Sequence, residues 1–214
     1  VPVYIAQTLH ATEQYSKLKT YGSNLLENTS GIEEDMRTEI ARLVGDAFYK
    51  NQEFSDASPY LEVAWKGTRG PGRKAEFAYQ VGYTRYRMNE WRGALDVLAL
   101  TAREDNELGQ NAIYHMADCY IQLGQKDKAR NAFGRAASKD YDMEIMEDAL
   151  FSYAKLAFEL SYNPFDNAIT AFTTYLDNYP NSVRHDEAYR FLLEVYLTSR
   201  DYDRAIHALD QIVD

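Results

Sequence analysis

The chain has 214 residues, 45% hydrophobic and 26% charged, with only five prolines and eleven glycines. That composition fits one or two compact domains or one array, and it argues against a loop-rich or disordered segment. Its 23 basic and 33 acidic residues give a net charge of −10, which disfavours nucleic acid as a partner, and no apolar run approaches the roughly 18 residues of a membrane span.

Apolar residues recur at three- and four-residue spacing, the mark of a helix with one buried face. The pattern predicts six pairs of helices in chain order: 1–11 and 13–27, 34–50 and 53–66, 73–88 and 90–104, 107–122 and 125–138, 142–161 and 164–178, 183–198 and 201–213. The stretch "TRGPGRK" (68–74) is the clearest break. Asn89 and Asn163 stand where N-caps belong, and Pro164 suits a first helical turn. Pro59 falls inside a second helix, where a kink or a late start is expected.

One phrase recurs in the second helix of each pair: "QYSKLKTYG", "EFSDASPYL", "EWRGALDVL", "QKDKARNAF", "PFDNAITAF" and "DYDRAIHAL". Its anchor residues are Leu18, Ala57, Ala94, Ala129, Ala168 and Ala205, spaced 39, 37, 35, 39 and 37 apart. Three before each anchor come Tyr15, Phe54, Trp91, Lys126, Phe165 and Tyr202; four after come Gly22, Leu61, Leu98, Phe133, Phe172 and Leu209. Twelve before stand Ala6, Gly45, Gly82, Ala117 and, bulkier, Leu193, with Ala154 joining them when "YN" (162–163) is taken as an insertion. Small residues at fixed points let two helix backbones approach, and an aromatic at the turn fills the wedge between them. A period of this length marks a helical hairpin that cannot bury its face alone and must stack on its neighbours.

These residues resemble the tetratricopeptide repeat family, whose unit has a small residue, an aromatic three later, an anchor Ala and then an aromatic or Leu. The resemblance covers the whole chain and implies an all-α, right-handed solenoid of about six units: 1–32, 33–70, 71–106, 107–141, 142–180 and 181–214. Units of 35 to 39 residues exceed the family's usual 34, only Pro180 sits at the closing position, and Arg85, Ala157 and Leu193 depart from the pattern. Val1 falls inside a helix already under way and nothing follows to cover Ile206, Leu209 and Ile212. Since solenoids close with polar caps, the expectation is a segment of a longer chain or ends covered by partners.

Chemistry is sparse. His115 and Cys119, four apart, are half of a metal site with no second pair nearby. Cys119 is the single cysteine, so no internal disulfide forms and no redox compartment is assigned; it reads as a small core residue. His207 and Asp210 read as a solvated helix surface. "GTRGPGRK" (67–74) has Arg73 and Lys74 where a phosphate loop needs Lys and Ser or Thr, and no strand precedes it; it reads as a connection or as a basic patch. No enzyme activity, cofactor or metal is expected.

In the family, first helices line a concave wall that meets an extended peptide or a partner helix. By register the resemblance assigns this surface to Arg42, Asp46 and Tyr49; to Tyr79, Tyr83, Tyr86 and Arg87; to Tyr114 and Asp118; and to Phe151, Lys155 and Phe158, with Glu39, Lys50, Glu76, Asp148, Glu159 and Glu187 beside them. Tyr79, Tyr83 and Tyr86 form one stripe, suited either to an interface or to packing on the neighbouring hairpin. One subgroup of the family clamps a C-terminal carboxylate with Lys and Asn; Arg42 and Asp46 stand at the first two of those points, and an Asp there repels a carboxylate. The expected function is therefore a non-catalytic scaffold gripping a protein or peptide. The alternatives are a self-associating array, or an accessory segment of a larger envelope protein or enzyme. The stretch 170–197, with "YPNSVRHDEA", resembles repeats of bacterial envelope proteins, which implies a periplasmic or outer-membrane-associated setting.

Overall fold

The computed structural model describes residues 2–161 and 165–213, and these form twelve α-helices with no strand among them. In chain order they are α1 (Pro2–Ala11), α2 (Tyr15–Asn28), α3 (Glu34–Lys50), α4 (Phe54–Gly67), α5 (Pro71–Arg87), α6 (Trp91–Thr101), α7 (Glu107–Gln122), α8 (Lys126–Ala137), α9 (Met143–Leu160), α10 (Asp166–Asn178), α11 (His185–Thr198) and α12 (Tyr202–Val213). The chain divides into two compact units, residues 1–104 and 105–214, each holding six helices in three hairpins. Within each unit every helix packs on the next, and α1 also meets α3, α7 meets α9 and α9 meets α11. The fold is all-α and of the solenoid class.

The hairpin turns are nearly identical. In five of them three residues separate the helices, and the middle one takes a left-handed conformation: Glu13, Gln52, Asn89, Gly124 and Arg200, with φ between 54° and 70°. The next residue's N–H then reaches back five positions, Gln14 to the Leu9 carbonyl at 2.8 Å, Glu53 to Phe48 at 3.0 Å and Glu90 to Arg85 at 2.8 Å, with Gln125 on Tyr120 and Asp201 on Tyr196 alike. This is a Schellman closure, which satisfies carbonyls a helix end would otherwise leave open. Asn89 therefore does not cap α6 as expected. It fills the left-handed turn position, one Asn tolerates better than most residues, and Glu90 occupies the cap without a side-chain bond. True side-chain caps occur at Asn106, which accepts from the Gly109 N–H at 3.0 Å, and at Asp142, which accepts from Glu144 and Ile145. Asn163, Pro164 and the insertion at 162–163 lie outside the described residues. Nor does Pro59 delay its helix, since α4 begins at Phe54 and runs through it.

Packing follows the repeated phrase. All six anchors are buried, from Leu18 at the first hairpin to Ala205 at the last. A Cβ placed on Gly45 would lie 2.9 Å from Leu61 Cδ2, and one on Gly82 would lie 2.6 Å from Leu98 Cγ and 3.2 Å from the Leu98 backbone N. The small residue on the first helix and the Leu on the second are thus two halves of one contact. In the last hairpin Leu193 is only half-buried and the neighbouring Leu192 takes the core position. The turn aromatics close the wedge as expected: Phe54 meets Tyr49 edge-on at 5.7 Å, Trp91 meets Tyr86 at 5.6 Å and Phe165 stacks on Phe158 at 6.0 Å. The off-pattern Arg85 uses its guanidinium to hold the Gly93 carbonyl at 3.0 Å and Glu62 on α4. Ile206 and Leu209 on α12 are exposed, at 60% and 46%.

One polar clamp is fully buried. The Gln110 side-chain nitrogen lies 3.1, 2.7 and 3.2 Å from the carbonyls of Ala136, Lys139 and Asp142, and its oxygen accepts from the Asp142 N–H at 2.8 Å. It thereby satisfies the end of α8 and the connection to α9, where a buried carbonyl without a partner is costly.

Gly82→Ala should lower stability by about 1–3 kcal/mol in urea unfolding, as overpacking does. Adding Leu98→Ala should then cost less than the sum of the two changes, because each residue's effect is felt at the other. At the turns, Gln52→Gly should raise stability by about 1 kcal/mol and Gly124→Ala lower it by a similar amount, the difference a left-handed backbone imposes on a residue with a Cβ.

Candidate functional site

In the first unit the sequence-assigned residues of α3 and α5 fall into two groups. Arg42 donates to Glu39 at 2.7 and 2.8 Å, and both line a cleft of about 540 Å³ with Asp35 and Thr38 of α3, Arg69 of the α4–α5 connection, and Arg73 and Glu76 of α5. The Arg42 guanidinium holds the Glu39 carboxyl below the usual carboxylate range, and Glu39 in turn raises Arg42. The basic loop noted in the sequence thus borders this cleft through Arg69 and Arg73.

The second group is an aromatic ladder. Tyr49 meets Tyr83 edge-on at 5.9 Å, Tyr83 stacks on Tyr79 at 6.0 Å and tilts against Tyr86 at 5.8 Å, and Phe54 meets Tyr83 at 5.9 Å. Arg87 lies over Phe54 at 4.5 Å and donates to the Tyr83 hydroxyl at 3.1 Å. The stripe therefore packs on the neighbouring hairpin while keeping part of each ring at the surface, since Tyr79, Tyr83 and Tyr86 are all half-buried. Beside it Asp46 meets His10 at 2.5 Å, Lys50 at 3.1 Å and Gln80 at 3.4 Å. Asp46 so links α1, α3 and α5, a structural duty that sequence register did not reveal.

In the second unit three expected residues converge. Asp118 of α7, Phe151 and Lys155 of α9 line a cleft of about 400 Å³ together with Ile121, Phe133, Asp148, Ser152, Leu156, Glu159, Arg184 and Glu187. Lys155 sits over the Phe151 and Phe191 rings at 5.6 Å each, with Glu187 at 3.2 Å. Arg184 covers Phe151 at 5.1 Å and pairs with Asp148, which also accepts from the Tyr114 hydroxyl at 2.5 Å. Two of the expected residues are engaged in packing. Phe151 is only 3% exposed and belongs to the core around Phe172 and Tyr175, because its ring meets Tyr175 at 5.0 Å; it forms the cleft's floor and has little surface to offer. Phe158 packs on Phe165 and Phe191 and does not line the cleft. Arg184 was not identified from the sequence. It falls at the start of the expected helix 183–198, and in the structure it stands just ahead of α11 at the cap position.

Among the described residues no three of His, Cys, Asp and Glu converge as metal ligands would. Cys119 is fully buried, and burial, then the charge of Asp118, pushes its thiol up to about 12. Among the described residues no helix is long and apolar enough to cross a membrane.

Burial, and then the neighbouring Tyr79 and Tyr83, push the Tyr49 phenol above its ordinary value of 10.0. Its proton is held more tightly in the folded state, so the stability tied to it is complete below pH 10 and is lost as pH rises beyond that value. The urea midpoint should fall as pH is raised above 10, and Tyr49→Phe should fall less over the same interval.

With the geometry in hand, comparison with known proteins places the chain. Residues 6–121 match the family model described as the TT21 fifth ARM repeats domain, and residues 111–140 and 148–182 match that of the tetratricopeptide repeat. No curated protein sequence is a significant match. Among solved structures, MamA protein aligns over 83% of this chain and 90% of its own, with a TM-score of 0.64 and 17% identity. YrrB, described as a TPR protein with an unusual peptide-binding site, aligns over 85% of this chain and 86% of its own, with a TM-score of 0.62 and 17% identity. Rap protein in complex with competence and sporulation factor aligns over 99% of this chain and 63% of its own, with a TM-score of 0.52 and 15% identity. At these identities the likeness is one of fold. The chain belongs to the helical-repeat family of the tetratricopeptide and TT21 ARM repeats.

Proposed function

We propose that the chain is a non-catalytic scaffold that binds a protein or peptide segment on the faces of its first helices. One observation carries this: α7, α9 and α11, three successive first helices, contribute to a single cleft in the second unit. A cleft built from equivalent positions of stacked repeats suits an extended or helical segment crossing them, with side chains entering in turn. The descriptions of YrrB and of the Rap complex support a binding role of this kind. The resemblance of 170–197 to envelope-protein repeats supports an envelope setting. Self-association is the second reading, favoured by the exposed Tyr202, Ile206 and Leu209 of α12; a monomer in light scattering across a concentration series would remove it.

The scaffold reading is tested by a photo-crosslinking residue, p-benzoylphenylalanine, placed at Ile121 inside the cleft or at Asp203 on α12. Illumination in an extract of the native cell should yield covalent partner adducts at 121 and none at 203. Equal labelling at both, or none at 121, would remove the cleft as the binding surface.

A further inference from the structure

The net charge is unevenly shared. Residues 1–104 hold 13 basic and 14 acidic residues, a balance of −1, whereas residues 105–214 hold 10 basic and 19 acidic, a balance of −9. The cleft in the second unit lies in that acidic half. Asp118, Asp148, Glu159 and Glu187 line it against only two cations, Lys155 and Arg184. Both cations are held inward. Lys155 rests on two aromatic rings with Glu187 beside it, and Arg184 lies over Phe151 while paired with Asp148. At the rim, Lys126 of α8 meets Glu159 at 2.8 Å with both side chains about half exposed. An exposed pair of that kind contributes about 0–1 kcal/mol and exchanges readily for another cation. Asp118 lies 3.9 Å from the His115 ring nitrogen, and counting Lys126 the four carboxylates still carry more charge than the three Lys and Arg cations. Below this rim the floor is apolar: Phe133, Phe151 and Leu156 are buried, and Ile121 stands over them 37% exposed. The cleft of the first unit differs, with Arg42, Arg69 and Arg73 set against Asp35, Glu39 and Glu76.

Resting on the reading above that this cleft binds a peptide segment, we propose that its ligand class is a cationic amphipathic segment. Lys or Arg side chains of the ligand meet the carboxylates of Asp118 and Glu159, and its apolar side chains cover Ile121. Carboxylates on a rim select by sign, because an acidic ligand meets both the local surplus and the field of the whole acidic unit. Ile121, exposed above the buried floor, supplies an apolar contact that a simple polycation does not use. An acidic ligand could gain only by stripping Lys155 or Arg184 from the partners that already hold them.

The test uses three fluorescent peptides of equal length, alternating Leu with Lys, with Gln or with Glu, and reads binding by anisotropy. The Lys peptide should bind about tenfold tighter than the Gln peptide, an advantage that shrinks with added salt, and the Glu peptide should bind most weakly. The isosteric pair Asp118→Asn and Glu159→Gln should erase most of that advantage with the helical circular dichroism unchanged. The pair Asp203→Asn and Asp210→Asn makes the same charge change on α12 and should preserve it. If Gln and Lys peptides bind equally and both crosslink at position 121, the charge inference falls while the cleft reading stands. If the Lys peptide binds but crosslinks elsewhere, and the two variant pairs weaken it alike, the cleft reading itself falls. Binding of none of the peptides overturns the proposal.

Discussion

Everything in this chain depends on two helices of a hairpin approaching closely enough for one to receive the side chains of the other. At Gly45 and Gly82 the first helix offers no side chain, and the leucine four beyond the anchor occupies that space. Neither helix can close the contact alone, and a single hairpin leaves its other face bare. The same phrase must therefore be repeated, and within each unit a hairpin shields the one before it. Gly22 shows the rule between hairpins as well, since a Cβ there would lie 2.2 Å from Val44 Cγ2 of α3.

This division of labour decides where surface clefts form. Second helices spend their anchors and most of their aromatics on the interior. First helices keep one stripe free of that duty, and it is there that both clefts open. The two clefts nevertheless differ in chemistry, because stripe residues are not constrained by the packing phrase. The first unit places an aromatic ladder and balanced charge on its stripe; the second places carboxylates above an apolar floor. One architecture can thus hold two clefts of different character without any change in its core.

Much of the fold could be read directly from the residues, because helix periodicity and the spacing of the anchors are local patterns. The helix ends fell within a few residues of expectation: α3 and α7 matched outright, and α5 began two residues early, at Pro71 after the left-handed Gly70. Asn89 was misread for a physical reason. The same residue type suits an N-cap and a left-handed turn, and only the backbone closure to Tyr86 and Arg85 tells them apart. The candidate surface was less legible. Register places Phe151 on the correct helix face, yet whether its ring is floor or surface depends on Tyr175, Phe172 and Phe191, which come from later helices. The bridging role of Asp46 and the contribution of Arg184 depend on partners 34 or more residues away in sequence, and no local pattern carries that information.

The uniform turns have a consequence for how such a chain can vary. From left-handed residue to anchor the distance is five residues in each of the five hairpins where it is described, so the turn and the start of the second helix have a fixed length. The drift of the repeat between 35 and 39 residues is shared between the helices, 14 residues in α2 against 11 in α6, and connections of three to six residues such as 29–33, 68–70, 138–142 and 179–184. Two of these supply Arg69 and Arg184 to the edges of the clefts. A change of length in either of these two links falls on the border of a cleft, so a lineage could reshape that border by lengthening a link while its interior stays untouched.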